Sequence, residues 1–199
     1  MSKKIEQQQN HAQPSKSEGR RRIRIAFDLD GVIIDKPPFI PKKLLEWLFR
    51  GPRKDGLHYR FPTTKFEQWI RKLSHFWLFR PPIKKNIEFI KNLAKDPKYE
   101  LYIVSGRYSF LEKETKKWLE KWKLTGIFKE IFINLKNEQP HLFKERILKK
   151  NGIQIFVDDD ELISLYLSKK NIGKIFCYSK NQRYSFFSPK IKIIRDLQK

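Results

Sequence analysis

The chain has 199 residues, enough for one domain carrying a modest insertion. Its 16 Phe and 5 Trp, within a hydrophobic share of 39%, supply a packed core, and a single cysteine excludes an internal disulfide and fits a reducing compartment. Forty-four Lys and Arg against 22 Asp and Glu leave a formal charge of +22, which attracts phosphorylated metabolites, nucleic acid or acidic headgroups and is also what a lysine-rich proteome produces.

Residues 1–22 are polar and charged, with Gln7-Gln8-Gln9 and Arg20-Arg21-Arg22. They lack the apolar stretch of a secretory signal, and no apolar run approaches membrane-spanning length. A flexible basic tail and a cytoplasmic protein are expected.

Arg22 to Phe27 reads as a short strand running into Asp28-Leu29-Asp30-Gly31. From Lys36 to about Arg80 the pattern changes. A helical run from Pro41 to Phe49, a break at Gly51-Pro52 and a second run from Thr63 to Phe79 predict a small helical insertion over the end of the first strand, with Trp47, Phe49, Trp69, Trp77 and Phe79 as its own core. Pro81-Pro82 opens a helix through Ile83, Ile87, Ile90 and Leu93. Leu101 to Val104 is a buried strand ending at Ser105-Gly106-Arg107, and Phe110 to Trp122 an amphipathic helix. Strand Ile131–Ile133, helix Pro140–Lys150, strand Ile153–Val157, helix Glu161–Ser168 and strand Lys174–Tyr178 complete the alternation. Strands alternating with helices imply a Rossmann-like α/β core, 23–35 with 81–199, in which parallel strands bring their carboxyl ends to one crevice.

Three of those strand ends carry reactive side chains. Asp28 and Asp30, two apart, start from the same face; one carboxylate could attack phosphorus while the other protonates the leaving oxygen. Asp158 and Asp159 add negative charge that a hard divalent cation, Mg²⁺, would neutralise. Ser105 with the backbone N–H groups that follow it, from Gly106 onward, could hold phosphoryl oxygens, and a lysine could offset their charge. Asp160 reads as a helix N-cap instead. Asp35 and Arg107 flank the motifs as substrate contacts or as solvated loop positions. The four histidines show no metal-ligand spacing, and no Gly-x-Ser-x-Gly elbow is present. Cys177, in an apolar run, reads as a buried small hydrophobe.

Asp28-Leu29-Asp30-Gly31-Val32, Ile103-Val104-Ser105-Gly106-Arg107, Lys144 and Phe156-Val157-Asp158-Asp159 together resemble the four ordered motifs of the haloacid dehalogenase superfamily. The resemblance implies Asp28 as nucleophile and metal ligand, and Asp30 as acid/base with its backbone carbonyl on the metal. It implies Ser105 and Lys144 as phosphate ligands, Asp158 as a Mg²⁺ ligand and Asp159 as its support. An acid at Asp30 argues against dehalogenation, and the insertion is similar to the helical caps of that family. The Asp158-Asp159 ending, with Lys144 fourteen residues before Asp158, is most like the 5′(3′)-deoxyribonucleotidase branch. The expected activity is a magnesium-dependent phosphatase on a nucleotide or other small phosphorylated metabolite. Its rivals are the same chemistry on nucleic-acid ends and a non-catalytic nucleic-acid-binding module.

Overall fold

The computed structural model describes residues 22–37, 57–179 and 191–198. The expected basic tail, save Arg22, and the first helical run with Trp47 and Phe49 lie outside them. Six strands form one parallel sheet: β1 (Ile23–Phe27), β2 (Tyr99–Tyr108), β3 (Glu130–Asn134), β4 (Ile155–Asp158), β5 (Lys174–Tyr178) and β6 (Ile191–Ile194). Their spatial order is β3-β2-β1-β4-β5-β6. The chain thus winds outward from β1 to β3, then returns to the other flank of β1. The rim between β1 and β4 is the switch point at which such sheets bind ligands.

Period-2 alternation along the strands sorts the core into two layers. Ile25, Phe27, Leu101 and Ile103 face one side, against Ile87 and Ile90 of helix α2 (Lys84–Leu93) and Trp118 and Leu119 of helix α3 (Glu112–Lys121). Ala26, Tyr102, Val104 and Phe156 face the other, under Phe143, Ile147 and Leu148 of helix α4 (Pro140–Lys150) and Ile163 and Leu167 of helix α5 (Glu161–Ser168). Helix α4 opens on a proline, which loses no needed N–H there, and is followed by Gly152 at φ +56°.

Two features depart from the expected pattern. Strand β2 does not stop at Val104 but continues through Ser105-Gly106-Arg107 to Tyr108, its register against β3 shifting between Ser105 and Tyr108. The serine and arginine are therefore carried by strand backbone. The second concerns the only helix among the described residues of the expected insertion 36–80, α1 (Lys65–Ser74), N-capped by Thr64. It turns Arg71 and Ser74 inward, while Phe66, Trp69 and Leu73, on one stripe, are exposed. Of the aromatic residues expected in a separate cap core, Trp77 packs on the main core and Trp69 and Phe79 are exposed. Among the described residues no helix is long and apolar enough to cross a membrane.

Candidate active site

Strand β1 ends at Phe27, but its neighbour stays zipped to β4: the Asp28 N–H donates to the Val157 carbonyl at 2.9 Å. Phe27 lies opposite Val157, so Asp28 and Asp158 emerge side by side. One carboxylate oxygen each from Asp28, Asp158 and Asp159 lie within 4.8 Å of one another. Into this cluster α4 sends Lys144, whose Nζ sits 2.7 Å from Asp158 Oδ2 and 3.2 Å from Asp28 Oδ1. All four predicted residues are brought together, and Asp28, Asp158 and Lys144 are buried.

Three carboxylates against one ammonium, out of water, leave uncompensated negative charge. Burial pushes Asp28 up to about 7 despite Lys144, and burial, reinforced by Asp158 and Asp28, pushes Asp159 well above the usual carboxylate range. Burial alone would lower Lys144, yet the carboxylates of Asp158 and Asp28 raise it and hold the ammonium charged. A compact, all-oxygen, electron-rich donor set of this kind fits a hard divalent cation such as Mg²⁺, with Asp28, Asp158 and Asp159 as its holders. Gly31 makes room for the cluster. It sits at φ +76°, and a Cβ there would lie 1.9 Å from Asp159 Oδ2.

Asp30 takes a different environment. Its carboxylate is gripped by Arg107 (Nε to Oδ2 and Nη2 to Oδ1, both 2.7 Å) and by Arg80 (Nη2 to Oδ1, 2.6 Å). Burial would raise its pKa, but the two guanidiniums hold the carboxyl well below the usual range. Nearby, His75 is buried beside Ser74 Oγ (3.0 Å) and the Arg71 carbonyl (2.9 Å), and burial with the charge of Arg107 drops it to about 3. Arg107, which flanks a motif in sequence, is thus a buried member of the site, and so is Arg80, which no motif marks. Arg107 had a signal: it closes the Ser105-Gly106-Arg107 run at the carboxyl end of an apolar strand. Arg80, beside Pro81, had none.

Ser105 is buried within β2, three residues before the strand ends, its Oγ accepting from the Arg107 N–H at 3.4 Å. Gly106 packs beneath α4; a Cβ there would lie 2.9 Å from Pro140 Cβ. Asp160 caps α5 as expected, Oδ1 accepting from the N–H groups of Leu162 and Ile163 at 2.9 and 3.2 Å. Its other oxygen accepts from the Tyr59 hydroxyl. The backbone of Tyr59 is matched by the Gln139 side chain, which accepts its N–H at 3.0 Å and donates to its carbonyl at 3.2 Å. The chain preceding α1 is thereby tied to the rim beside α4. Asn134, also unforeseen, is buried at the end of β3 and closes the next turn through the Glu138 backbone, donating to its carbonyl (2.6 Å) and accepting its N–H (2.9 Å).

No family model and no curated protein matches the chain. Solved structures do. A haloacid dehalogenase-like hydrolase from Streptococcus pneumoniae superposes with a TM-score of 0.60 at 13% identity, covering 89% of this chain and 96% of that one. A HAD-superfamily hydrolase of subfamily IA from Geobacter sulfurreducens gives 0.52 at 16%, covering 88% and 95%. The fold is haloacid dehalogenase-like. A protein from Bacillus subtilis described as a HAD-hydrolase, solved bound to magnesium, gives 0.56 at 14% identity over 89% and 96%. On this haloacid dehalogenase-like sheet, the β1–β4 rim presents the buried Asp28 carboxylate beside Lys144, and the β1–β2 rim the Asp30 carboxylate held by two arginines.

Proposed function

We propose that the chain is a magnesium-dependent phosphatase that hydrolyses phosphomonoesters through an aspartyl-phosphate on Asp28. The observation that carries this reading is Lys144 standing 3.2 Å from Asp28 and 2.7 Å from Asp158, in a pocket where three carboxylates converge. An Asp28 oxygen attacks phosphorus, the bond to the leaving oxygen breaks, and that oxygen takes a proton from Asp30, which carries one only once it has left the arginines that hold it ionised. Water then attacks the same phosphorus, gives its proton to Asp30, and the Asp28–phosphorus bond breaks to release phosphate. Ser105, the backbone around Gly106 and Lys144 hold the phosphoryl oxygens. Bound Mg²⁺ supplies charge that screens the phosphate from its anionic attacker. Its assignment draws support from the donor set and from the magnesium in the Bacillus subtilis structure of the same fold.

The substrate class proposed is a nucleotide or another small phosphorylated metabolite, by likeness to the 5′(3′)-deoxyribonucleotidase type. A cytoplasmic setting suits the single cysteine, which is buried and whose thiol burial pushes up to about 12. The charge of +22 favours a second reading, phosphorylated nucleic-acid ends, which predicts a steep loss of activity with added salt on oligonucleotides but not on mononucleotides. A phosphatase screen with Mg²⁺ over nucleotides, sugar phosphates and phosphorylated oligonucleotides tests the activity. Asp28→Asn, near-isosteric, is expected to lower turnover on the order of a thousandfold or more while circular dichroism stays native. Wild-type rates in that variant would end the assignment of Asp28.

A further inference from the structure

We infer that Arg80 and Arg107 form a receptor for a second oxyanion, carried on the leaving-group side of the substrate, and that Asp30 fills this receptor while no substrate is bound. The inference rests on the phosphatase reading for where the leaving group lies; the receptor itself rests on geometry.

The first observation is which partner faces out. Asp30 is 33% exposed, whereas the Arg80 and Arg107 side chains are 5% and 3% exposed. A surface ion pair holds its long basic side chains outermost, stems against the protein and heads in water. Here the arrangement is reversed: two guanidiniums form the floor of a recess and an anion closes its mouth. The planar edge of Arg107, Nε with Nη2, is the fork that binds carboxylates and phosphates bidentately, and Arg80 Nη2 supplies a third donor.

The second observation is that the receptor does not depend on Asp30 for its shape. Arg80 Nε donates to the Asp35 carbonyl at 2.8 Å, its Nη1 reaches the Ser74 carbonyl at 3.5 Å, and its own carbonyl accepts from the buried Trp118 Nε1 at 2.7 Å. Arg107 Nη1 donates to Thr115 Oγ1 at 3.0 Å, and that hydroxyl is fixed in turn on the Leu111 carbonyl at 2.9 Å. When the Asp30 carboxyl turns away, the donors stay aimed at the same place.

The third is position. Asp30 follows the nucleophile by two residues, and Arg107 follows Ser105 by two on one strand. The recess therefore adjoins the phosphoryl site on the side where Asp30 must deliver its proton. An oxyanion a few bonds from the scissile ester reaches Arg80 and Arg107 and replaces the Asp30 carboxyl, which is then released toward the leaving oxygen. A substrate without a second anion leaves Asp30 in the recess. The substrate class is thus a phosphomonoester bearing a second phosphate or a carboxylate.

The test uses matched ligands. Thymidine 3′,5′-bisphosphate against thymidine 3′-monophosphate reads the phosphate source, and 2-phosphoglycolate against ethyl phosphate the carboxylate source. Binding is measured by calorimetry on the full-length Asp28→Asn protein with Mg²⁺, and turnover on wild type. In at least one pair the second anion is expected to tighten binding about tenfold, and Arg80→Met or Arg107→Met to abolish that preference. The general field of the chain remains in both variants, so a preference arising from net charge alone survives there and overturns the inference. Equal affinities within both pairs overturn it too, without any variant. Should the Met variants fail to fold, Arg80→Lys and Arg107→Lys keep the charge but lose the planar fork, and an undiminished preference in them is equally fatal. Release of phosphate by wild type from each of the four ligands is scored separately. If it is absent while the arginine-dependent preference is present, the phosphatase reading falls and the receptor stands.

Discussion

The two flanks of Asp28 are built with opposite imbalance. Toward β4, three carboxylates meet one lysine; toward β2, two guanidiniums meet one carboxylate. Neither flank balances its charge alone, and the two excesses lie on adjoining strand ends. The difference teaches where each kind of partner belongs: a cation on the β4 side, an anion on the β2 side, with the nucleophile between them. It also shows how position rather than composition sets the outcome, since Asp28 and Asp30 are the same residue type two apart, one pushed up to about 7 by burial and the other held down by arginines.

The sharpest way to break the comparison is to remove the buried lysine of the β4 side. Lys144→Met leaves buried carboxylates with no partner ammonium and is expected to cost about 3–5 kcal/mol in urea denaturation without added metal. An unchanged midpoint would mean that the cluster is solvated rather than buried. Adding Mg²⁺ at a hundred times its dissociation constant is expected to stabilise wild type by about 2.7 kcal/mol, read as a rise in melting temperature that a chelator reverses. A flat response would remove the cation from the β4 side.

The smallest effect belongs to the β2 side. His75 is held at about 3 against an ordinary value of 6.5, so between those values the unfolded chain binds more protons than the native one. Its contribution is intact above pH 6.5 and is lost as pH falls toward 3, with a slope of at most about 1.4 kcal/mol per pH unit. The raised carboxylates of the β4 side act in the opposite sense, so the readout is a difference. From pH 6.5 to 5, wild type should lose stability faster than His75→Gln, whose neutral amide can still donate to the Arg71 carbonyl. Parallel slopes would show a solvated ring.

What the sequence disclosed is what regular backbone carries. Asp28, Ser105, Asp158 and Asp159 were readable because they end apolar runs that can only be parallel strands. Lys144 was legible only through the resemblance, whose spacing to Asp158 it matches, since nothing in the helix itself sets it apart from Lys149 or Lys150. Asp160 announced its capping role through the helix it starts. On the arginine side, Arg80 was hidden because loops place it: it is held by carbonyls of residues 35 and 74 and by an indole on α3, contacts with no period in the chain. Trp69, expected in a core of the insertion, stands exposed for a related reason. Helical spacing shows that Phe66, Trp69 and Leu73 share a face, but not that the opposite, polar face, with Arg71 and Ser74, is the one turned inward.

Gly106 was expected to lend its backbone to phosphate, but its packing gives it a further, mechanical duty. Its bare α-carbon lies against Pro140, and Pro140 stands one helical turn ahead of Lys144 on the same face. The strand and the helix thus touch through a bearing with no spacer. Any side chain at 106 would lever the start of α4 away from the sheet, and the tilt would carry to the tip of Lys144, where a few tenths of an ångström decide whether it reaches one carboxylate or two. The smallest residue in the motif sets the reach of the longest.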